Sequence, residues 1–380
     1  MSVFKLAFPK INLSGFGAIE TLIERIYAEH GEDVGMLICD PAMVELGHVD
    51  KLVNSKIRFV LFDGIKPNPD TNTVKSALDV FKANNAKYVI AFGGGSSIDT
   101  GKAIRILSAN ESEIAQFNGV EKVDKVGSPL YAINTTAGTA AEVTSNAVIT
   151  DTETKVKHVI ISDKIIPDVS VNDPSVMLGI PAHVTASTGI DALTHAIEAY
   201  VSTGSHELTD YIALQSINLI AKSLPLAVEN GQNREAREMM AQGQFIAGLS
   251  FNSAGLGMVH AMAHPAGAHK DLPHGVCNAI LLPIVCEFNR SSRVDKFAKV
   301  AEAMGVDTTP MTTEEASVAA IEAIKNLNKQ VSIPAGFGTF GVTEEDVVSW
   351  VDDALADPCA GGNPRPITRE QVIDLYMKAL

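Results

Sequence analysis

The chain has 380 residues, of which 46% are hydrophobic and 20% charged, and its formal net charge is −15 at pH 7. This composition excludes an intrinsically disordered protein, and the negative charge argues against a nucleic-acid partner, whose phosphates bind Lys and Arg. The length exceeds what one hydrophobic core usually serves and predicts two domains.

The first part of the chain alternates short β-branched segments with helical ones. Buried strands are predicted over 34–40, 57–64, 86–95 and 130–136, and amphipathic helices over 71–85 and 96–109. This alternation predicts a parallel, Rossmann-like sheet with helices on both faces. The segment 146–174 is rich in β-branched residues and predicts two further strands joined by a polar turn.

After "GIPAHVTASTG" (179–189) the pattern becomes helical up to the C-terminus. The change predicts a boundary near 180–188, with an α/β domain over 1–182 and an all-α domain over 183–380. Helices are predicted over 190–202, 206–227, 233–250, 273–290, 293–304, 313–329, 344–356 and 368–379.

Two glycine-rich stretches are candidates for binding a phosphate. "GGGSSIDTGK" (93–102) follows a predicted strand and opens a helix, so its glycines allow close backbone approach and the first helical amides suit a pyrophosphate. A glycine-rich turn without a ligand is the alternative explanation. "GFGAIE" (15–20) lacks the third glycine of the dinucleotide fingerprint and follows no strong strand, so we assign it to a turn.

Polar residues also follow two other predicted strands. Asp40 ends the strand at 34–40, where dinucleotide sites place an acid against the ribose hydroxyls, and a carboxylate there favours NAD over NADP. "NTTAGTAAEVT" (134–144) leaves the strand at 130–136 with several threonines. Hydroxyls at the carboxyl end of a parallel strand suit a ligand site, although a plain polar loop explains them equally well.

Acids and histidines cluster in two segments of the helical part. "GIDALTHAIEAY" (189–200) places Asp191, His195 and Glu198 on one face of a helix. About sixty residues later, "GMVHAMAHPAGAHKDLPHG" contains four of the ten histidines: His260, His264, His269 and His274.

One carboxylate and three imidazoles form a ligand set that leaves a divalent ion net positive and open to a substrate oxygen. Iron(II) and zinc both accept such a set. The spacing does not choose among the histidines, except that His269, next to Lys270 in a predicted polar loop, is discarded.

Four motifs together resemble the iron-dependent, or group III, alcohol dehydrogenases, and they occur in that family's order along essentially the whole chain. They are "GGGSSIDTGKAI", "NTTAGTAAEVT", "GIDALTHAIEAY" and "GLGMVHAMAHPAGAHKDLPHGVCNAILLP". Within the family, the chain is most similar to the bacterial enzymes for 1,3-propanediol, lactaldehyde, methanol and ethanol. The resemblance implies the metal ligands Asp191, His195, His260 and His274, and a further active-site histidine, His264.

The same resemblance implies how NAD binds and what reaction follows. The activity it implies is hydride transfer between a small primary alcohol or diol, or its aldehyde, and NAD, with Fe²⁺ or alternatively Zn²⁺ as Lewis acid. Whether His264 relays the alcohol proton stays open, and a homodimer or larger homo-oligomer is expected. The dinucleotide contacts that it implies are Asp40, Asn68, Gly94, Gly95, Ser96, Ser97, Asp99, Thr135, Thr136, Thr139, Thr144 and Lys157.

The chain departs from its relatives at His269 and Lys270, where several of them place a bulky apolar residue and a tyrosine. We therefore expect this side of the pocket to be more polar. The stretch "CAGGNPRP" (359–366) is assigned to a plain surface loop, and the alternative is a loop that lines the cleft or an interface.

Three alternatives are weighed against this function. A lyase of the dehydroquinate synthase type would need several cations near the metal, and the histidine-rich stretch supplies one lysine. A glycerol-type polyol dehydrogenase usually lacks the full ligand set, and a non-enzymatic sensor would bind without turnover.

The cellular location is predicted from cysteines and apolar runs. Four cysteines without a CxxC spacing predict reduced thiols. The N-terminal stretch lacks the apolar region of a signal peptide, and the chain has no apolar run of about eighteen residues. We therefore expect a cytoplasmic protein without a membrane partner.

Overall fold

The structure is a computed structural model, and it describes residues 3–153 and 156–380. The chain forms two compact units. The first contains Ala7–Thr136 and Ala140–Met177. The second contains Leu178–Leu380, the short segment Ala137–Thr139 and an N-terminal segment that ends at Leu6.

The first unit is an α/β structure. Its helices are α1 (Ala18–His30), α2 (Pro41–Glu45), α3 (Asp50–Val53), α4 (Thr71–Ala83) and α5 (Gly95–Leu107). Its strands are β1 (Ile11–Ser14), β2 (Val34–Ile38), β3 (Arg58–Phe62), β4 (Val89–Gly93), β5 (Gly119–Val120), β6 (Leu130–Asn134), β7 (Asn146–Thr150), β8 (Lys157–Ile161) and β9 (Val169–Asn172).

The main sheet has the strand order β1-β9-β6-β4-β2-β3, and all of its pairs are parallel. Its central strands β4 and β6 are buried along their full length, as expected for a sheet covered on both faces. From β2 the chain first adds β3 on one side and then β4 on the other, so the strand order reverses between β2 and β4. A smaller sheet, β5-β8-β7, contains the antiparallel pair of β7 and β8.

Helix α5 packs very closely on the main sheet. A Cβ atom placed on Gly101 would lie 2.7 Å from the Cβ of Ala91 on β4, so the helix approaches this close because residue 101 has no side chain. Further along α5, Arg105 is buried and forms an ion pair with Asp168, just before β9. This contact fixes the α5 end that lies away from the glycine-rich loop.

The second unit is helical. Pro181 directly precedes its first helix, and within that helix the hydroxyl groups of Ser187 and Thr188 donate hydrogen bonds to the carbonyl of Val184. The helices are α6 (Ala182–Val201), α7 (Glu207–Glu229), α8 (Arg234–Ala254), α9 (Met258–Lys270), α10 (His274–Arg290), α11 (Val294–Ala303), α12 (Thr313–Gln330), α13 (Glu344–Ser349), α14 (Val351–Ala356) and α15 (Arg369–Lys378).

The predicted fold class, a parallel α/β sheet followed by a helical part, is confirmed, with differences in detail. Helix α6 begins at Ala182 rather than at 190, because the hydroxyls of Ser187 and Thr188 bond to the carbonyl of Val184 in the same helix instead of breaking it. The segment 146–174 contains three strands rather than two, and β9 joins the main sheet. Residues 154 and 155 of the predicted turn lie outside the described residues. Strand β1 and helix α1 were not predicted.

Helix α7 is long and apolar enough to cross a membrane by length and composition, as is the bent pair of α8 and α9 taken together. Core helices pass the same test, so this is weak evidence for a membrane span. One face of α7 is buried, with Ile217, Ile220 and Leu224 fully covered.

Candidate active site

Helix α6 carries the polar face that the sequence predicts. Asp191, His195 and Glu198 are 2%, 5% and 4% exposed, so this face is turned into the interior of the helical unit. Isolated buried charges are costly, and such groups occur where partners are supplied from other elements. Here the partners come from α9 and α10.

One atom from each of Asp191, His195 and His260 lies within 4.8 Å of the other two, which is the spacing of a group able to hold a metal ion. His195 lies between two rings, stacking on Phe251 at 4.4 Å and on His260 at 4.6 Å between ring centroids. His274, the first residue of α10, has its Nε2 3.5 Å from Oδ1 of Asp191. Its side chain is 40% exposed, so His274 lies on the open side of the group.

The amide of Asn278, one turn after His274, lies at the centre of this group. Its Nδ2 atom is 2.6 Å from Oδ1 of Asp191 and 3.1 Å from Nε2 of both His260 and His274. An amide nitrogen has two hydrogens, so it cannot donate to three acceptors at once. Two imidazole nitrogens and a carboxylate oxygen that converge on one point suit a divalent cation. Nδ1 of His195 is one of the buried side-chain atoms that have no hydrogen-bond partner among the described residues.

The protonation states suit a metal site. Burial lowers the pKa of His195, against the opposing effect of Asp191 and Glu198. Burial also holds the pKa of His260 well below its ordinary value, and the neighbouring imidazoles His195 and His274 add to the effect. Burial raises the pKa of Asp191, but the three imidazoles and Asn278 outweigh it and leave the pKa lowered. At neutral pH His195 and His260 are therefore neutral and Asp191 is ionised, the forms that bind metals.

Glu198 holds His260 from the side opposite to this group. Its Oε2 atom is 2.6 Å from Nδ1 of His260, and its Oε1 accepts the backbone N–H of Val259 at 2.7 Å. Burial raises the pKa of Glu198 to about 7, against the backbone N–H groups of Val259, Gly257 and His260.

His264 belongs to a second cluster beside the first. Its Nδ1 lies 2.7 Å from Oδ2 of Asp357, whose Oδ1 accepts the backbone N–H of Cys359 at 2.8 Å. Burial raises the pKa of Asp357, but the bond and charge of His264 outweigh this and lower it. The ring of His264 stacks on that of His274, with 5.4 Å between centroids. His264 is therefore oriented by a carboxylate and adjoins the metal-binding group.

His269 and Lys270 are not in a loop, as predicted, but in the last turn of α9. The short polar stretch "HKDLP" suggested a loop, whereas α9 continues until Asp271 takes the left-handed conformation. Nε2 of His269 lies 3.0 Å from a carboxylate oxygen of Asp353, and Nζ of Lys270 lies 2.8 Å from one of Asp346. Both side chains therefore pair with carboxylates near the C-terminal end of α9.

The prediction of a plain surface loop at 359–366 is wrong in one respect, because the segment is hydrogen-bonded to the start of α9. Asn363 is buried, and its Oδ1 accepts the backbone N–H of Met258, the first residue of α9, at 3.3 Å. Its amide also bonds with the amide of Asn289 on α10, at 2.8 and 3.0 Å. The loop therefore anchors the start of α9.

The α/β unit has a separate candidate site at the carboxyl ends of β2, β4 and β6. Asp40 caps α2, accepting the backbone N–H of Met43 at 3.2 Å. Gly93 has φ +149°, and a Cβ there would lie 2.4 Å from Oγ of Ser97 and 3.8 Å from Oδ2 of Asp40. Gly94 precedes α5 without a side chain to cover its first amides, and Thr136 lies beside it. Ligands of parallel α/β sheets bind at this edge, where the strand order reverses.

The other predicted dinucleotide contacts are more dispersed. Oδ2 of Asp99 accepts the backbone N–H of Val148 on β7 at 3.0 Å, and burial raises the pKa of Asp99 to about 6. Thr144 is buried, with its hydroxyl 3.1 Å from Nζ of Lys102. Gly95 and Ser96 open α5, Thr135 follows β6, Asn68 is exposed at φ 55°, Lys157 begins β8, and Thr139 belongs to the helical unit.

Sequence reasoning missed two residues at or beside the candidate metal site, Asn278 and Asp357, and the partner of a third, Glu198. Asn278 stands four residues after His274 on the same helix, a spacing that could have revealed it. Glu198 was noted on the polar face of α6 but had no assigned partner. Asp357 is 93 positions from His264, so no local pattern connects the two.

The comparisons with known proteins cover nearly the whole chain. Residues 9–174 match the model "Iron-containing alcohol dehydrogenase", and residues 185–380 match "Fe-containing alcohol dehydrogenase family, C-terminal". The chain is 42% identical to the 1,3-propanediol dehydrogenase of Citrobacter freundii over 99% of both chains. It is 39% identical to the NAD-dependent methanol dehydrogenase of Bacillus methanolicus over 98% of both.

A solved structure gives the same result for the fold. The crystal structure of a 1,3-propanediol oxidoreductase is similar with a TM-score of 0.98, at 42% identity and full coverage of both chains. Fold and relatives together define the class of the protein, which is an oxidoreductase. More particularly, the chain belongs to the iron-containing alcohol dehydrogenase family, and the resemblance predicted from its four motifs is confirmed. Membership of this family implies a metal.

Proposed function

We propose that the chain transfers hydride between a small primary alcohol or diol, or the corresponding aldehyde, and NAD. In this proposal Asp191, His195, His260 and His274 bind one divalent ion, Fe²⁺ or alternatively Zn²⁺. The observation that carries it is the convergence of a carboxylate oxygen of Asp191 and the Nε2 atoms of His260 and His274 on the single amide nitrogen of Asn278. Relatives that are named for 1,3-propanediol and methanol support a small alcohol as the class of substrate.

When bound, the ion supplies a Lewis acid that lowers the pKa of an alcohol oxygen or polarises an aldehyde carbonyl, and NAD supplies the hydride acceptor. Asp191 contributes the one negative charge of the ligand set, and the three histidines contribute neutral imidazoles. The set therefore leaves a divalent ion with a net positive charge. The exposed side chain of His274 marks the side from which a substrate oxygen would approach.

We assign the edge of the main sheet to NAD. The open amides at the start of α5 suit the pyrophosphate, and the carboxylate of Asp40 suits the adenosine ribose and disfavours a 2′-phosphate. In this assignment, residues 1–182 act as the dinucleotide-binding domain and residues 183–380 as the metal and substrate domain. The proposed contacts are Asp40, Asn68, Gly94, Gly95, Ser96, Ser97, Asp99, Thr135, Thr136, Thr139, Thr144 and Lys157.

His264 is proposed to accept the alcohol proton at Nε2. Its other ring nitrogen is held by Asp357, which fixes the tautomer with hydrogen on Nδ1 and stabilises the imidazolium that forms. The stacking of His264 on His274 places the acceptor beside a proposed metal ligand. A lyase acting on a phosphorylated substrate is not favoured, because Lys270, the lysine of this stretch, is paired with Asp346.

We also propose a cytoplasmic homodimer or larger homo-oligomer without nucleic-acid or membrane partners. The net charge of −15 supports the exclusion of nucleic acid, and four free cysteines support a reducing compartment.

The test is the formation of NADH from a panel of short alcohols and diols, using apo-protein reloaded separately with Fe²⁺ and with Zn²⁺. We expect turnover that depends on the metal and on the alcohol. Tight NAD binding without turnover of any alcohol or aldehyde would contradict the proposal and favour a lyase or a sensor.

A further inference from the structure

Glu198 lies at the junction of two helices that carry the proposed metal ligands. It extends from α6, which bears Asp191 and His195, to the first turn of α9, which bears His260. Its side chain is 4% exposed, so both carboxylate oxygens must be satisfied by protein groups.

The two oxygens have different partners. Oε1 accepts the backbone N–H of Val259 at 2.7 Å, one of the donors at the start of α9 that the helix itself leaves unsatisfied. Oε2 lies 2.6 Å from Nδ1 of His260. Gly257, the residue just before α9, has no room for a side chain, since a Cβ there would lie 2.9 Å from Oε1 of Glu198. One carboxylate thus holds both the backbone and the ring of the same segment.

The bond to Nδ1 decides what the other ring nitrogen does. In its ionised form Glu198 only accepts hydrogen bonds, so Nδ1 of His260 then carries the hydrogen and Nε2 presents a lone pair. Nε2 is the atom that faces Asp191 and Asn278, at 3.8 and 3.1 Å. With the opposite tautomer, an N–H would point into the metal-binding group and block it.

We propose that Glu198 is a positioning residue, which fixes His260 in the tautomer and ring orientation that bind the metal. This inference rests on the proposed function, because it assumes that Nε2 of His260 is a ligand. Carboxylates that hold the second nitrogen of a metal-bound histidine typically change metal affinity by about 10- to 100-fold when removed.

The test compares two variants that loosen the same end of α9 by different routes. In Glu198→Gln, an NH2 group replaces one of the two oxygens, so one of the two positions that accept from Nδ1 of His260 and the N–H of Val259 becomes a donor. In Asn363→Ala, the bond to the N–H of Met258 is lost, but nothing that touches His260 changes. The full-length apo-proteins are titrated with Co²⁺ against a chelator, and the visible absorption spectrum of the bound cobalt is recorded.

We expect Glu198→Gln to bind Co²⁺ about 10- to 100-fold more weakly, with an altered cobalt spectrum. Asn363→Ala should keep the affinity and spectrum of the wild type, even where its unfolding temperature falls. In a His260→Ala background, Glu198→Gln should have little further effect on affinity, because the ring through which it acts is gone. Glu198→Asp serves in place of the glutamine variant if that variant does not fold, with a weaker affinity expected for the same reason.

The outcomes separate this inference from the proposed function. If the wild type binds Co²⁺ and Glu198→Gln has the same affinity and spectrum, the inference is wrong and the proposed function stands. Equal losses in Glu198→Gln and Asn363→Ala would also overturn it, since the effect would then come from helix placement. If the wild type binds no Co²⁺, the proposed metal site itself fails.

Discussion

The two candidate sites are built in opposite ways. In the helical unit, buried side chains from α6, α9 and α10 converge on one point, and the chemistry lies in Asp191, His195, His260 and their partners. At the edge of the parallel sheet, the main features are backbone amides and glycines without side chains, such as Gly93 and Gly94. The first site should therefore be lost when a side chain is removed, and the second when one is added.

The largest effect is expected from removing a proposed ligand. His260→Ala should lower turnover by about 10³-fold or more, because a Lewis acid contributes several kcal/mol to the barrier. Turnover and metal content are measured on the same preparation. His269→Ala on the same helix is the matched control, since that ring is exposed and paired with Asp353. Equal losses in the two variants would mean that α9, rather than one ligand, is being perturbed.

A buried charge in the α/β unit is expected to affect stability rather than either site. Burial raises the pKa of Asp168, but hydrogen bonding and ion pairing with Arg105 outweigh it and leave the pKa below its ordinary value. Asp168→Asn should cost about 3 kcal/mol in the free energy of unfolding at neutral pH, because the buried guanidinium of Arg105 loses the negative charge that balances it.

The pH dependence of this pair has a definite sign. A lowered folded-state pKa stabilises the protein fully above the unfolded-state pKa, and the contribution is lost as the pH falls through the folded-state value. Urea unfolding between neutral and acid pH should therefore show a smaller acid loss in Asp168→Asn than in the wild type. Asp124→Asn, at an exposed position, is the control. If Asp168→Asn loses as much stability at acid pH as the wild type does, this pair is not the source of that loss.

Adding one methyl group should break the sheet-edge site. Gly93→Ala places a Cβ against Ser97 at a φ that side chains rarely adopt, so the start of α5 must shift. We expect NAD to bind about tenfold more weakly, measured by fluorescence titration, with metal content unchanged. Gly361→Ala, where a Cβ meets nothing within 4 Å, should bind NAD normally. Loss of metal rather than NAD in Gly93→Ala would refute the assignment of the two sites.

An effect of similar size is expected on the choice of dinucleotide. Asp40→Ser removes the carboxylate but keeps a residue able to cap α2, so the local fold should survive. The ratio of kcat/KM for NADP to that for NAD should rise about tenfold as charge repulsion is removed. The same substitution at Asp70, which caps α4, should leave the ratio unchanged. A constant ratio in Asp40→Ser would remove this residue from the ribose site.

Sequence patterns predicted the parts of this molecule that depend on local order. The strands β2, β3, β4 and β6 were found because their apolar residues are continuous, and the polar face of α6 was visible from spacing alone. Strand β1 was missed because it has four residues at the sheet edge, with an alternating pattern and its partner β9 far along the chain.

The candidate metal site was predictable in its residue types but not in its connections. The spacing of Asp191 and His195 follows from one helix, whereas the pairings of Glu198 with His260 and of Asp357 with His264 depend on tertiary packing. Such pairs join distant segments, so neither periodicity nor composition reveals them.

The central claim is that one divalent ion binds between α6, α9 and α10. Its most direct test is a crystal structure of the iron-reconstituted protein, with an anomalous difference map calculated from data on either side of the iron absorption edge. We predict one strong peak in contact with Asp191, His195, His260 and His274. A protein that contains iron but shows its peak beside His264, Asp357 and Cys359 instead, or at none of these residues, would contradict the claim.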